Sequence, residues 1–349
     1  MAVLAAATLL GAPAEANELM PVTFVQSHPA FVIGEEIFIY VVPKQMGYYA
    51  AAGLDVTIQN ALTGVQAVQV LMSGRAQFAT GGADGLLKTR EQGGDPFAFA
   101  AIKENNGWLM GVLPDSPIKT LADVKGRDIG TIALGSGGHL IAKLEFGADG
   151  LKDSDYTMIA VGVGPSAAAA LTNHRVEGLI LYDSLFAAME NNGLKFRYID
   201  LPKAGGLAGQ IIATREDFAK AHPDAVIGMC RSIAEGLYFT QTNPTAAVEL
   251  FYKEWPTNLP TDRPYEQTIR EGVNAMKLYL KYSQEGIPYG GKTGVIPPEK
   301  WVASEAFYKA SGIIQGTTKL EDAYTNKYVD QCNDFDHAAA AKQAMDYKP

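Results

Sequence analysis

One stretch restricts the fold more than any other. Asp128-Ile129-Gly130-Thr131-Ile132-Ala133-Leu134 passes into Gly135-Ser136-Gly137-Gly138 and then into His139-Leu140-Ile141-Ala142-Lys143-Leu144. An apolar run of strand length, a glycine cluster and a helix-period segment in that order spell strand, tight turn, helix. The turn caps the helix N-terminus, where free N–H groups and the helix dipole offer donors to an oxygen and the glycines let a bound group come close.

A dinucleotide site is the first reading to test, because Gly135, Gly137 and Asp155 stand roughly where its fingerprint would put them. The third glycine is missing, however, and Asp155 precedes the next apolar run (156–161) instead of ending it, so it cannot reach a ribose. The turn is therefore read as a cradle for some other group.

The same unit recurs along the chain. Apolar runs at 22–26, 55–60 and 77–80 lead through turns at Ser27-His28-Pro29, Leu62-Thr63-Gly64 and Gly81-Gly82-Ala83-Asp84 into helical segments, the first expected near 35–46. After the Asp128 unit, runs at 156–161 and 179–182 lead into Gly162-Val163-Gly164-Pro165-Ser166 and Asp183-Ser184. This is an α/β chain with mostly parallel sheets and flanking helices. Gly64-x-x-Ala67-x-x-x-Leu71-x-x-x-Arg75 also superposes on Gly164-x-x-Ala167-x-x-x-Leu171-x-x-x-Arg175, which predicts two lobes of like architecture. Two cores also suit a chain of 349 residues. Ligands of open parallel sheets bind beyond the carboxyl ends of the strands, so two facing lobes gather all these turns around one cleft. Glycine-flanked apolar segments at 105–113 and 205–214 are read as the crossovers, a two-strand hinge. The lobes are expected at 20–107 with 208–349, including a helical C-terminal tail, and at 108–207. A Gly/Pro-rich loop runs from Glu285 to Pro298.

Charge and cysteines exclude several functions. A formal charge of -9 without a basic cluster argues against nucleic acid. Residues 1–16 end in small-x-small patterns after a short apolar run and are read as the end of a secretory signal peptide, with the mature protein exported to the periplasm. Cys230 and Cys332 are too few for a disulfide scaffold or a thiolate zinc site. They can pair in an oxidising compartment, or Cys230 can be a small buried hydrophobe on the stripe Val226, Cys230, Ile233, Leu237. The five histidines lack metal-site spacing, no G-x-S-x-G elbow occurs, and neither metal nor cofactor is expected. A catalytic alternative uses Ser136 or Ser166 as nucleophile, His139 as base and Asp183 as orienter.

Three further stretches carry a family resemblance: Pro43 to Val56 (Pro-Lys-Gln-Met-Gly-Tyr-Tyr-Ala-Ala-Ala-Gly-Leu-Asp-Val), Ser116 to Gly126, and Gly164-Pro165-Ser166-Ala167-Ala168-Ala169. With the Gly135 to Leu140 turn, in this order and spacing, the chain resembles the periplasmic solute-binding proteins of ABC importers that take sulfonates, taurine and thiamin-type pyrimidines. The resemblance implies a two-lobed type II periplasmic-binding fold, a monomer closing around a small-molecule solute, and an ABC transporter permease at the membrane as partner. It implies no catalysis: the thiamin-pyrimidine synthases, similar in fold, use a cysteine-rich motif absent here.

The candidate ligand-binding residues are those of the turns: Gln26, Ser27, His28, Gly64, Gly82, Ala83, Asp84, Asn105, Trp108, Ser136, Gly137, Gly138, His139, Gly164, Pro165, Ser166, Tyr182 and Asp183. Helix N-termini favour an oxyanion such as an alkanesulfonate, taurine or nitrate. The turns contain no Lys or Arg, while Asp84 and Asp183 repel an anion and Trp108, Tyr182 and His28 offer flat surfaces. A neutral or weakly cationic planar heterocycle, such as a thiamin-type pyrimidine, is the favoured solute.

Overall fold

The structure, a computed structural model, describes residues 18–28, 30–103, 106–283, 291–316 and 318–348. The signal-peptide reading, Asn105 and residues 285–290 of the Gly/Pro-rich loop lie outside these residues.

Among the described residues ten strands form two sheets of five. The first contains β1 (Met20–Gln26), β2 (Leu54–Asn60), β3 (Phe78–Gly81), β4 (Pro96–Ala101) and β10 (Ile211–Arg215), in the order β2-β1-β3-β10-β4. The second contains β5 (Trp108–Val112), β6 (Asp128–Thr131), β7 (Thr157–Ala160), β8 (Gly178–Tyr182) and β9 (Arg197–Ile199), in the order β7-β6-β8-β5-β9. Numbered within each lobe, both orders read second, first, third, crossover strand, fourth. In each sheet the first three strands are parallel, and the crossover strand runs antiparallel to both its neighbours. This shared order is the structural counterpart of the repeated Gly-x-x-Ala-x-x-x-Leu pattern. The helices Gly64–Met72 and Pro165–Thr172 occupy equivalent places before β3 and β8, with Ala67, Leu71, Ala167 and Leu171 buried in both.

The strand-turn-helix reading of the Asp128 segment holds, with β6 followed by the helix Gly137–Ala148. Other helices start where capping chemistry puts them. Thr63 accepts from the Gln66 N–H, and Asn243, followed by Pro244, accepts from the Ala246 N–H. The helix expected near 35–46 differs: Ile37–Val41 form a wide π-type turn that passes into a short α-helical piece, Val42–Gln45. Ile37 through Val42 are all buried, so the segment has no solvent face to impose a 3.6-residue amphipathic register. It packs against the long helix Pro223–Thr242, where Gly236 leaves room for the Phe38 carbonyl.

The two sheets are joined by the segments 102–107 and 200–210. They touch: the N–H groups of Ile102 and Lys103 both donate to the Gln210 carbonyl, at 2.9 and 3.1 Å, and Asn106 Nδ2 donates to the Ala204 carbonyl at 2.7 Å. The 205–214 segment read as one apolar strand begins instead as a helical turn, Pro202–Gly205, with β10 starting only at Ile211. Two C-terminal helices straddle the lobes. In Tyr265–Ser283, Tyr279 joins the first lobe's core and Leu278 packs on the second. In Pro298–Ala310, Trp301 joins the first lobe while Ala303 and Phe307 pack on the second. Cys230 and Cys332 are disulfide-bonded, with Cα atoms 5.2 Å apart, which resolves the two readings left open by the sequence.

Candidate functional site

The turns at the carboxyl ends of β1, β2, β3, β6, β7 and β8 carry the residues singled out in the sequence, and two of them meet the connecting segments: Ser27 through Gln210, and Asp183, whose N–H donates to the Gly107 carbonyl at 3.0 Å. Trp108 organises the second lobe's side. Its indole lies flat against the first turn of the Gly137–Ala148 helix, where a Cβ on Gly137 would stand 2.7 Å from Trp108 Cζ2 and one on Gly138 2.7 Å from Cζ3. The glycine pair is therefore needed to seat a tryptophan. Tyr182 packs against that indole at a tilt of 33°, with ring centroids 3.9 Å apart, and is itself 39% exposed.

The turn glycines of the first lobe also do packing. A Cβ on Gly64 would meet Gly81 and Gly82 backbone at 3.4 Å, and one on Gly85 would meet the Val65 nitrogen at 3.1 Å, so the two helix starts can approach closely. Ala83 is buried and Asp84 half-buried, with burial pushing the Asp84 carboxyl upward. On the second lobe, Pro165 and Ser166 are exposed, and Gly164 takes a positive φ of 60°.

The structure does not assemble the catalytic alternative. His139 Nδ1 accepts from the Gly135 N–H at 2.7 Å, Ser166 Oγ donates to the carbonyls of Val161 and Val163, and Ser136 Oγ faces Thr131 Oγ1. Asp183 is buried, accepts from the Ser184 N–H and faces Lys103. Nucleophile, base and orienter thus have separate partners.

Behind the cleft surface lies a buried charged cluster. His28 bridges two carboxylates, with Nε2 at 3.2 Å from Glu35 Oε1 and Nδ1 at 3.0 Å from Glu36 Oε1. Lys103 Nζ lies 3.8 Å from Glu35 Oε2 and 3.9 Å from Asp183 Oδ2, and sits over the Tyr279 ring at 4.4 Å. Lys103 therefore links a carboxylate of the first lobe to one of the second. The Glu35 carboxylate pushes the His28 imidazole up to about 9, against the effect of its burial. Burial alone would push Glu35 up, but His28 and Lys103 hold it below the ordinary carboxylate value. Burial, with the charge of Glu35 added, pushes Glu36 up. Neutral hydrogen bonds complete the floor: Gln210 Nε2 donates to Ser27 Oγ at 2.9 Å, the Ser27 N–H to Thr80 Oγ1 at 2.9 Å, and Gln26 Nε2 to Asn60 Oδ1 at 2.7 Å.

Sequence reading missed this cluster's cation. The turns hold no Lys or Arg, yet Lys103 stands just after β4 and the fold carries it between Glu35 and Asp183. Nothing in its sequence surroundings marks it. A lysine between two buried carboxylates offers little charge to a bound anion, so its presence does not reverse the argument from Asp84 and Asp183. Sequence reading also passed over three apolar side chains left exposed at strand ends, Leu62 (70%) after β2, Leu134 (60%) after β6 and Val163 (48%) after β7, which join the Tyr182 ring it had singled out.

Two lobes of the same crossover topology, joined by paired connecting segments, with strand-end turns around a cleft, define the periplasmic-binding-protein fold. The fold is shared with the periplasmic aliphatic sulphonate binding protein SsuA of Escherichia coli (16% identity, 88% of this chain and 98% of that one, TM-score 0.67). It is also shared with the periplasmic nitrate-binding protein NrtA of Synechocystis PCC 6803 (14% identity, 95% and 99%, TM-score 0.56). Residues 35–247 match the family described as NMT1/THI5 like, and the chain belongs to that family. Among curated proteins it is similar to the riboflavin-binding protein RibY of Chloroflexus aurantiacus, 22% identical over 328 residues, which span 93% of this chain and 90% of that protein.

Proposed function

We propose that the protein is the periplasmic substrate-binding component of an ABC importer, a monomer that captures a small planar nitrogen heterocycle by lobe closure and delivers it unchanged to a membrane permease. A thiamin-type pyrimidine is the favoured solute. The observation that carries the reading is aromatic and apolar surface left exposed at strand ends: the Tyr182 ring, 39% exposed and packed on Trp108 with centroids 3.9 Å apart, and the side chains of Leu62, Leu134 and Val163. Exposed apolar surface is what a site for a flat ring needs, and an aromatic pair suits a ring with two apolar faces. Among the described residues no helix is long and apolar enough to cross a membrane, as a freely diffusing carrier requires.

In this reading Trp108, Tyr182 and His28 contact the ring. Asp84, Asn105, Ser27, Ser136 and His139 offer donors and acceptors at its edge, with Gly64, Gly82, Ala83, Gly137, Gly138, Gly164, Pro165 and Ser166 shaping the rim. Gln26 and Asp183 hold the floor. The likeness to a riboflavin-binding protein favours the heterocycle class, and makes an isoalloxazine the first solute to compare with a pyrimidine. The likeness to sulphonate- and nitrate-binding proteins keeps an oxyanion as the second reading, supported by the helix N-termini around the cleft. Equilibrium dialysis against a thiamin-type pyrimidine, riboflavin, taurine and nitrate, followed by mass spectrometry of the recovered solute, tests the proposal. Retention of a heterocycle of unchanged mass supports it. Retention of the anions alone, or recovery of a converted product, overturns it.

A further inference from the structure

We propose that His28, Glu35 and Glu36 form a binding site for a borderline divalent metal ion, with Zn²⁺ as the fitting probe, at the floor of the cleft. Each offers one ligand atom, and these three atoms lie within 4.8 Å of one another. Ligands held about 2.0–2.2 Å from a tetrahedral zinc stand roughly 3.3 Å apart. Each ring nitrogen of His28 stands at that spacing from one carboxylate, Nε2 at 3.2 Å from Glu35 and Nδ1 at 3.0 Å from Glu36, so an ion on one nitrogen has one carboxylate in place and draws in the other. One imidazole and two carboxylates are ligand types that zinc, cobalt and manganese share.

Three further observations point to a missing cation. The buried oxygens Glu35 Oε1 and Glu36 Oε2 accept no well-formed hydrogen bond, although both residues are at least 98% removed from solvent, with relative exposures of 2% and 0%. An anionic oxygen in that position without a donor is costly, and a coordinated ion supplies what a donor would. An ion on His28 displaces a ring proton, so two positive charges replace one beside Glu35, Glu36 and Asp183, the carboxylates that Lys103 also serves. Finally, the site is rigid and reachable. Glu35 and Glu36 lead directly into the buried π-type turn Ile37–Val41, Gly34 leaves room beside Glu36 Oε2, and the His28 side chain is 34% exposed to the cleft. Without metal, each ring nitrogen of His28 faces one carboxylate, and the ion takes the place of one of the two ring protons.

His28 is shared with the proposed solute contacts, so the test uses zinc alone, without any organic solute. The full mature chain is stripped with a chelator, desalted, and titrated with Zn²⁺ in competition with a chromophoric chelator, in parallel with His28→Ala and Glu35→Gln. One equivalent should bind to the unaltered protein, and each substitution should weaken it by at least about 10-fold. His222→Ala and His337→Ala should leave it unchanged. Should either site variant fail to fold, X-ray absorption of the unaltered zinc-loaded protein decides: a first shell of one imidazole nitrogen and oxygens supports the site, and several imidazoles or sulfur overturn it. No zinc retained by the unaltered protein, or retention equal in both folded variants, also overturns it.

Discussion

The disulfide makes a quantitative claim about how the first lobe is held together. Cys230 lies in the middle of the helix Pro223–Thr242, and Cys332 closes the short helical turn Val329–Cys332, 102 residues further on. Between them run the two helices that straddle the lobes. In the chain-entropy account, a cross-link closing a loop of that size removes about 16 cal/mol/K from the denatured ensemble, or about 4.7 kcal/mol at 25 °C. Both sulfur-bearing residues are almost fully buried, at 3% and 1%, so Ala replacements also lose some packing. The double variant Cys230→Ala/Cys332→Ala should therefore be about 3–5 kcal/mol less stable in urea, with a larger m-value because its denatured chain is less compact. Tryptophan fluorescence reports the transition. If the two lobes unfold separately, the loss should fall on the first lobe's transition, since both cysteines belong to its core. Protein purified without reductant should show no free thiol in denaturant. Two free thiols there, or an unchanged midpoint in the double variant, would refute the reasoning.

Three other outcomes follow from the geometry. Lys103→Met removes the cation between Glu35 and Asp183 and leaves buried carboxylates facing each other, so stability should fall by about 3–5 kcal/mol in chemical denaturation; a change below about 1 kcal/mol would contradict the bridge. Glu91 accepts from the Gln315 and Gly316 N–H groups and from Lys88 Nζ, the Lys88 contact being the largest cause of a carboxyl held down at about 2. With the folded value below the unfolded one, this contact stabilises above pH about 4.5 and is lost as pH falls through about 2. The Gly316 amide signal should follow that low midpoint in an NMR titration, and a midpoint near 4.5 would exclude the contact. Small-angle scattering should show a smaller radius of gyration at saturating solute, as the lobes close about 102–107 and 200–210 while the straddling helices slide; an unchanged radius would count against closure.

Local order was legible in the sequence wherever one side chain type decides the backbone. The strand, glycine turn and helix at Asp128 to Ala148 announce themselves by period, and Thr63 and Asn243 announce their helices by capping. The internal repeat was legible for the same reason, since Ala67 and Ala167 face equivalent cores. What the sequence hid is what distant segments do to each other. Gly137 and Gly138 looked like an open cradle, but Trp108 from another strand fills it. Glu35 and Glu36 open the helix expected near 35–46, and only the fold brings His28 and Lys103 onto them. The Ile37–Val41 turn defeated periodicity because every one of its faces is buried. Burial on all sides erases the pattern from which a helix is read.

The central claim, capture of a flat heterocycle and not of an anion, is met most directly by titration calorimetry of the metal-free protein. A thiamin-type pyrimidine, riboflavin, taurine, an alkanesulfonate and nitrate should each be titrated into it. The account predicts that a heterocycle binds with a dissociation constant of about 1 μM or tighter, about −8 kcal/mol, and that Trp108→Ala weakens it at least tenfold, about 1.4 kcal/mol. Tight binding of taurine, sulfonate or nitrate with no heat from either heterocycle would contradict it.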